Sequence, residues 1–114
     1  MTTSQELHDR IVGQNLAKRF LSNLERNADV EVLRWKDPDG SWHSWTMTEL
    51  ADVTARLATG LAGLGVGKGD TVVMMLRNRP EFHALDLAAL FLGATPVSIY
   101  NSSAPEQVDY LVND

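Results

Sequence analysis

A chain of 114 residues, 44% hydrophobic and 22% charged, has the size and make-up of one globular domain or part of one. Fifteen acids against ten bases leave a net charge of −5, which argues against a duplex-binding stripe and offers no attraction to an anionic membrane. There is no cysteine, so disulfides, thiolate metal sites and a thiol nucleophile are excluded.

Residues 1–14 show no sustained period and read as a flexible N-terminus. They are polar and carry acids, unlike a signal peptide. From Asn15, a plausible N-cap, Leu16, Phe20, Leu21 and Leu24 recur at helical spacing. Val30, Val32, Leu33 and Trp35 then suggest a strand. "DPDG" fits a type I turn, with Asp37 first, Pro38 second and Gly40 fourth. Residues 41–45 return as the second strand of a hairpin.

"TMTE", from Thr46 to Glu49, is a capping box. It opens a helix with Leu50, Val53, Leu57, Leu61 and Leu64 on one face and Gly65 placed to end it. The apolar run 71–77 reads as a parallel strand buried on both faces. Pro80 suits the first position of a helix, with Glu81 in the favourable first turn. That helix is apolar on most sides, so it should be covered from more than one direction. Gly93 ends it, and 95–100 is the next strand, parallel to and beside 71–77. "SAPE" reads as a second capping box, with Ser103 as the cap of a helix that turns Val108, Leu111 and Val112 inward.

The fold class is therefore α/β. A partial parallel sheet of β-α-β-α type follows an N-terminal helix and a β-hairpin. Residues 15–114 are expected to be the opening portion of a larger domain. The longest apolar run is far short of the ~20 residues of a membrane span. The expected location is cytoplasmic.

Each chemistry-bearing motif has a structural reading beside its functional one. "GLGVGKGD" offers Gly65, Gly67, Lys68 and Gly69 as a phosphate cradle. A Walker loop needs glycine where Ala62 stands and Ser or Thr where Gly69 stands, and it runs from strand to helix. Here the loop runs from helix to strand, so a plain turn with no nucleotide is expected. Asn101, Ser102 and Ser103 lie where α/β sheets bind ligands, at a strand's carboxyl end and a helix's start. Capping by Ser103 is the plainer role. His8, His43 and His83 fall on different elements with no metal-ligand spacing. Trp35, Trp42 and Trp45 cluster on the hairpin, where only Arg34 and Lys36 are near and Asp37 and Asp39 oppose them. That suits cross-strand packing better than a base-stacking platform.

In order, "WTMTEL", "LGVGKGDTVVMML" and "NRPEFHALDLAALFLGATPVSIY" resemble the N-terminal region of the adenylate-forming superfamily. The family's early element reads hydrophobic-Thr-Tyr-x-Glu-Leu, with Met47 here in place of the tyrosine. "PVSIYNSSAPEQVDYLVND" is similar to the corresponding segment of long-chain fatty acyl-CoA synthetases. The resemblance covers about residues 28–114 and implies a parent enzyme that uses ATP, Mg2+ and coenzyme A. A fatty acid carboxylate would attack the α-phosphate of ATP, and the coenzyme A thiol would displace AMP from the acyl-adenylate. The family's phosphate loop, adenine segment, ribose-binding acid and catalytic lysine lie downstream and have no counterpart here. No catalytic, cofactor-binding or metal residue is therefore assigned.

The resemblance implies the rest of the parent enzyme as partner, a fatty acid as the parent's substrate, and no nucleic acid. A peripheral membrane position is left open to the parent. The chain alone is expected to be inactive and to self-associate through exposed strand edges. The alternative is a self-standing, non-catalytic α/β interaction module built on the same fold.

Overall fold

The computed structural model describes residues 3–13 and 15–113. Capping decides where most helices begin. The first helix, α1 (Ser4–Ile11), starts at a reciprocal capping box. The Thr3 hydroxyl accepts from the Glu6 amide at 3.1 Å, and the Glu6 carboxylate accepts from the Thr3 amide at 2.7 Å. Helix formation here departs from the expectation of an aperiodic N-terminus. The side chains of residues 4–10 are all exposed, so over these residues the helix has no buried face whose apolar period could announce it. Helix α2 (Leu16–Asn27) is capped by Asn15, whose carbonyl accepts from the Lys18 amide at 2.8 Å.

The hairpin pairs β1 (Glu31–Lys36) with β2 (Trp42–Thr46) in antiparallel register, Leu33 opposite Trp45 and Trp35 opposite His43. Its turn is closed by the Gly40 amide donating to the Asp37 carbonyl at 2.9 Å. Thr46 is both the last residue of β2 and the N-cap of α3 (Met47–Gly63), through the expected capping box with Glu49. The hairpin thus runs into α3 without a loop. Its first turn is tied down by the Met47 amide to the Val30 carbonyl and the Thr48 amide to the Ala28 carbonyl.

Strand β3 (Thr71–Met74), helix α4 (Pro80–Phe91) and strand β4 (Thr95–Ser98) form the β-α-β unit, with Thr71 opposite Thr95 and Met74 opposite Ser98 in parallel register. Among the described residues the strands make two separate two-stranded pairs. The expected burial of 71–77 on both faces is not found. Met74 is buried but Thr71, Met75 and Arg77 are exposed, because only one layer of helix lies against this short sheet. Helix α5 (Pro105–Asn113) also departs from expectation. It begins one residue later than a Ser103 cap requires, and Leu111 and Val112 are 48% and 52% exposed. A residue before proline is pushed out of the helical region. Ala104 therefore cannot be the first helical residue and becomes the N-cap. Gln107, not Glu106, reaches back to it, accepting from the Ala104 amide at 2.9 Å.

The core lies between the helices and the hairpin. Phe20, Met47, Leu50 and Ala84 form a buried cluster, with Leu33, Trp45, Leu57 and Phe91 packed around it. Phe20 meets Phe91 edge to face at 5.7 Å. Ala84, Ala88 and Ala89 have no exposed surface, which lets α4 approach its neighbours closely. As expected, α4 is at least half-buried along most of its length; only His83 is exposed.

Helices α3 and α4 end alike. The Val66 amide reaches the Leu61 carbonyl and the Gly65 amide the Ala62 carbonyl; the Ala94 amide reaches the Ala89 carbonyl and the Gly93 amide the Leu90 carbonyl. Both are Schellman ends with glycine at the left-handed position, φ +95° for Gly65 and +75° for Gly93. The two ends are clasped together by the Gly69 amide donating to the Gly93 carbonyl at 3.1 Å. A Cβ on Gly93 would sit 3.3 Å from the Lys68 Cα, whereas one on Gly65 would meet open space. Gly65→Ala should thus cost only the backbone penalty of about 1–2 kcal/mol. Gly93→Ala should cost more than that, because Lys68 backbone must also yield. Urea midpoints of the two variants test the order; equal losses would remove the clasp from the account.

Candidate functional site

The glycine loop between α3 and β3 turns its hydrogen-bonding groups inward. The Gly67 amide donates to the Asp70 carboxylate at 2.7 Å, and the Asp70 amide to the Gly67 carbonyl. The Gly69 amide is held by Gly93, and the Gly65 and Val66 amides close the end of α3. These amides are not aimed at a common point, as a phosphate cradle requires. The structure gives the loop the work of joining two helix ends.

The loop 99–104 occupies the position expected of it, at the carboxyl end of β4 and the start of α5. Asn101, Ser102 and Ser103 are brought together there. Among the described residues, none of the three uses its side chain in a hydrogen bond; the Ser103 amide donates to the Tyr100 carbonyl at 3.1 Å. Tyr100 and Tyr110, 83% and 66% exposed, flank a shallow groove whose floor includes Ser103 and Gln107. The groove offers hydroxyls, an amide and the Glu106 carboxylate, and no lysine, arginine or histidine lines it.

The histidines are not assembled. His8 is on α1, His83 on α4 beside Phe82, and His43 on β2, where its Nε2 lies 2.6 Å from the Asp37 carboxylate. Among the described residues no three His, Cys, Asp or Glu side chains converge as metal ligands. The tryptophans do pack across the hairpin. Trp35 stacks on His43 at 5.7 Å and meets Trp45 edge to face at 5.3 Å. Arg34 and Lys36 lie over the Trp42 ring at 5.5 and 5.9 Å.

Asp39 does not oppose these cations. Its carboxylate accepts from the Ser41 hydroxyl and amide, which hold it below the usual carboxylate range. The residues that sequence reasoning left out are Arg77, Asn78 and Arg79. They precede α4 and line two adjoining clefts against β1. More than 40 positions separate them from Arg34 and Lys36, and no local period links the two segments. Glu81 is pulled below the usual range by the Arg79 guanidinium 2.9 Å away and by its own backbone amide.

Among the described residues the hydroxyls that donate to a carboxylate, Ser41 to Asp39 and Ser44 to Glu31, lie on the hairpin and line none of the clefts above. Nor is any described helix long and apolar enough to cross a membrane. What the arrangement supplies is a scaffold: a helix pair, a clasped parallel strand pair, and a hydroxyl-lined loop at the end of β4.

Comparison with known proteins identifies the family. The family described as AMP-binding enzyme matches residues 20–114. An uncharacterized protein of Mycobacterium tuberculosis, Rv1549, is 41% identical over 86 residues, 75% of this chain and 49% of the relative. The long-chain-fatty-acid–CoA ligase FadD15 of Mycobacterium bovis is 42% identical over 90 residues, 79% of this chain and 15% of the ligase. The chain thus spans half or less of the length of these relatives. Among solved structures, the o-succinylbenzoate CoA synthetase MenE of Bacillus subtilis, in complex with its acyl-adenylate intermediate, superposes with a TM-score of 0.77 at 24% identity. That match covers 89% of this chain and 25% of the synthetase.

Proposed function

This chain belongs to the AMP-binding enzyme family, and from that we propose that it is the N-terminal segment of an ATP-dependent long-chain fatty acid–CoA ligase. The parent reaction joins a fatty acid to coenzyme A in two steps. The carboxylate oxygen bonds to the α-phosphorus of ATP and pyrophosphate leaves; the thiol sulfur then bonds to the acyl carbon and AMP leaves. ATP with Mg2+ supplies the adenylyl group when bound, and such chemistry needs cationic groups arranged around the phosphates. The observation that carries the reading is 42% identity to a long-chain ligase over 90 residues.

The residues of this chain play a supporting part in that proposal. The capped start of α5 and the clasp at Gly93 hold the loop 101–103 in place. Three lysines and seven arginines are present, and none of them lines the groove at the loop after β4. The isolated chain should accordingly form no acyl-adenylate, because positioning and electrostatic stabilisation are both missing. Pyrophosphate exchange with a long-chain acid tests this, run on the 114-residue chain and on a FadD15-type ligase that begins with it. Exchange by the short chain above a no-protein blank would overturn the inactive assignment. A chimera that is silent with long-chain acids but active with short or aromatic ones would overturn the substrate class.

A second reading, a self-standing non-catalytic module, is favoured by Rv1549, of which the matched 86 residues make up 49%. A monomeric, cooperatively unfolding 114-residue chain would support it; a chain that associates through open strand edges would support the first. The cytoplasm is the compartment that fits either reading.

A further inference from the structure

Two rules of local stability are broken at one place in this fold. The N-cap of α4 is Arg79, whose side chain makes no capping bond, and a cation at the positive end of a helix is unfavourable. Against it, Arg34 and Lys36 stand two apart on β1, on the same face of the strand, over Trp42. Arg77 completes the set. Four of the ten basic residues of a chain with net charge −5 thus line two clefts of about 350 and 340 Å3 that share the wall from Asn78 to Pro80. The carboxylates nearby are already engaged: Asp37 by His43 and Glu81 by Arg79. The nearest to Arg34 is Glu31 at 3.9 Å, and among the described residues Lys36 and Arg77 have none within 4.0 Å. Lys36 and Arg77 thus stand without a counter-charge beside two cations that have one, and an anion relieves such like-charge repulsion.

We propose that this groove, between the hairpin and the first turn of α4, binds a phosphate or diphosphate group. Glu81 holds Arg79 in the free protein, as an internal carboxylate that an incoming oxyanion displaces. Arg34 and Lys36 meet the anion from one side and Arg77 and Arg79 from the other. The paired N–H groups of arginine suit phosphate oxygens. The Asn78 side-chain amide adds a neutral donor. Such a group reaches the protein in two ways, on a soluble small molecule or on an anionic lipid headgroup.

The experiment is an amide NMR titration of the 114-residue chain with inorganic diphosphate at low ionic strength. A parallel arm measures sedimentation with phosphatidylglycerol vesicles and phosphatidylcholine vesicles. Saturable shifts at Asn78, Arg79 and the Trp42 indole N–H are expected. Arg77→Gln should weaken binding about tenfold, the loss of one charge-assisted contact. Glu81→Gln should tighten it by freeing Arg79. Both positions are on the surface side of the fold, and unchanged spectra elsewhere would show that it is intact. Shifts with diphosphate and no vesicle binding identify a soluble ligand. Binding only to phosphatidylglycerol, lost in Arg77→Gln, identifies the headgroup. Non-saturating shifts with no vesicle binding, or affinities that neither variant changes, would overturn the proposal.

Discussion

Leu50→Ala is expected to cost this chain about 2–5 kcal/mol, the usual loss for a buried leucine whose cavity only partly closes. Whole domains are stable by only about 5–15 kcal/mol, so a large part of the folded population is at stake. Leu50 is 6% exposed and lies in the cluster with Phe20, Met47 and Ala84. Helices α2, α3 and α4 all contribute to that cluster, so its loss loosens all three together. The contrasting variant is Leu64→Ala. Leu64 continues the same leucine spacing but sits at the C-cap of α3 and is 83% exposed. Its truncation should stay within about 0.5 kcal/mol of the parent. Urea unfolding followed by tryptophan fluorescence measures both, and similar midpoints for the two would displace the core from where we put it.

Ala84→Leu should be harmful for the opposite reason. Ala84 is fully buried against larger side chains, and a leucine there has no space to enter. Extra methylenes in a packed core force backbone shifts costing about 1–3 kcal/mol. That corresponds to a fall of at least about 4 °C in the thermal midpoint of a domain near this size. The same substitution at Ala62, exposed on α3, should leave the midpoint nearly unchanged. If Ala84→Leu were neutral, α3 and α4 would not be packed through small residues.

These two residues also show what is legible in the sequence. The Thr46 box, the Asn15 cap, Pro80 at the start of α4 and the glycines that close α3 and α4 are local signals, and each stands where its neighbours place it. The parallel pairing follows from two short apolar runs joined by a helix, but it spans 71–74 and 95–98, shorter than the strands expected over 71–77 and 95–100. Three features were not legible in this way. The missed helix α1 carries a capping box of its own, "TSQE", but no apolar period beside it. The start of α5 depended on the restraint that Pro105 places on Ala104, which outweighed the hydroxyl of Ser103. The cationic groove depends on a tertiary contact between β1 and the residues before α4, which no spacing encodes. Burial was misjudged wherever a second layer was assumed, at 71–77 and along Leu111 and Val112.

The clasp between Gly69 and Gly93 has one more consequence. It sets the alignment of β3 and β4 at their bases, before any strand residue pairs. The Thr95 amide then donates to the Asp70 carbonyl at 2.8 Å, and the ladder follows. The outer backbone of each strand stays uncommitted, since each has a single neighbour among the described residues. A unit of this kind can grow by accretion. A further strand laid against either side meets a template whose phase is already chosen, and nothing within the unit must be rebuilt to receive it. A segment built this way suits both a relative in which 86 matched residues are half the protein and a ligase in which 90 are 15%.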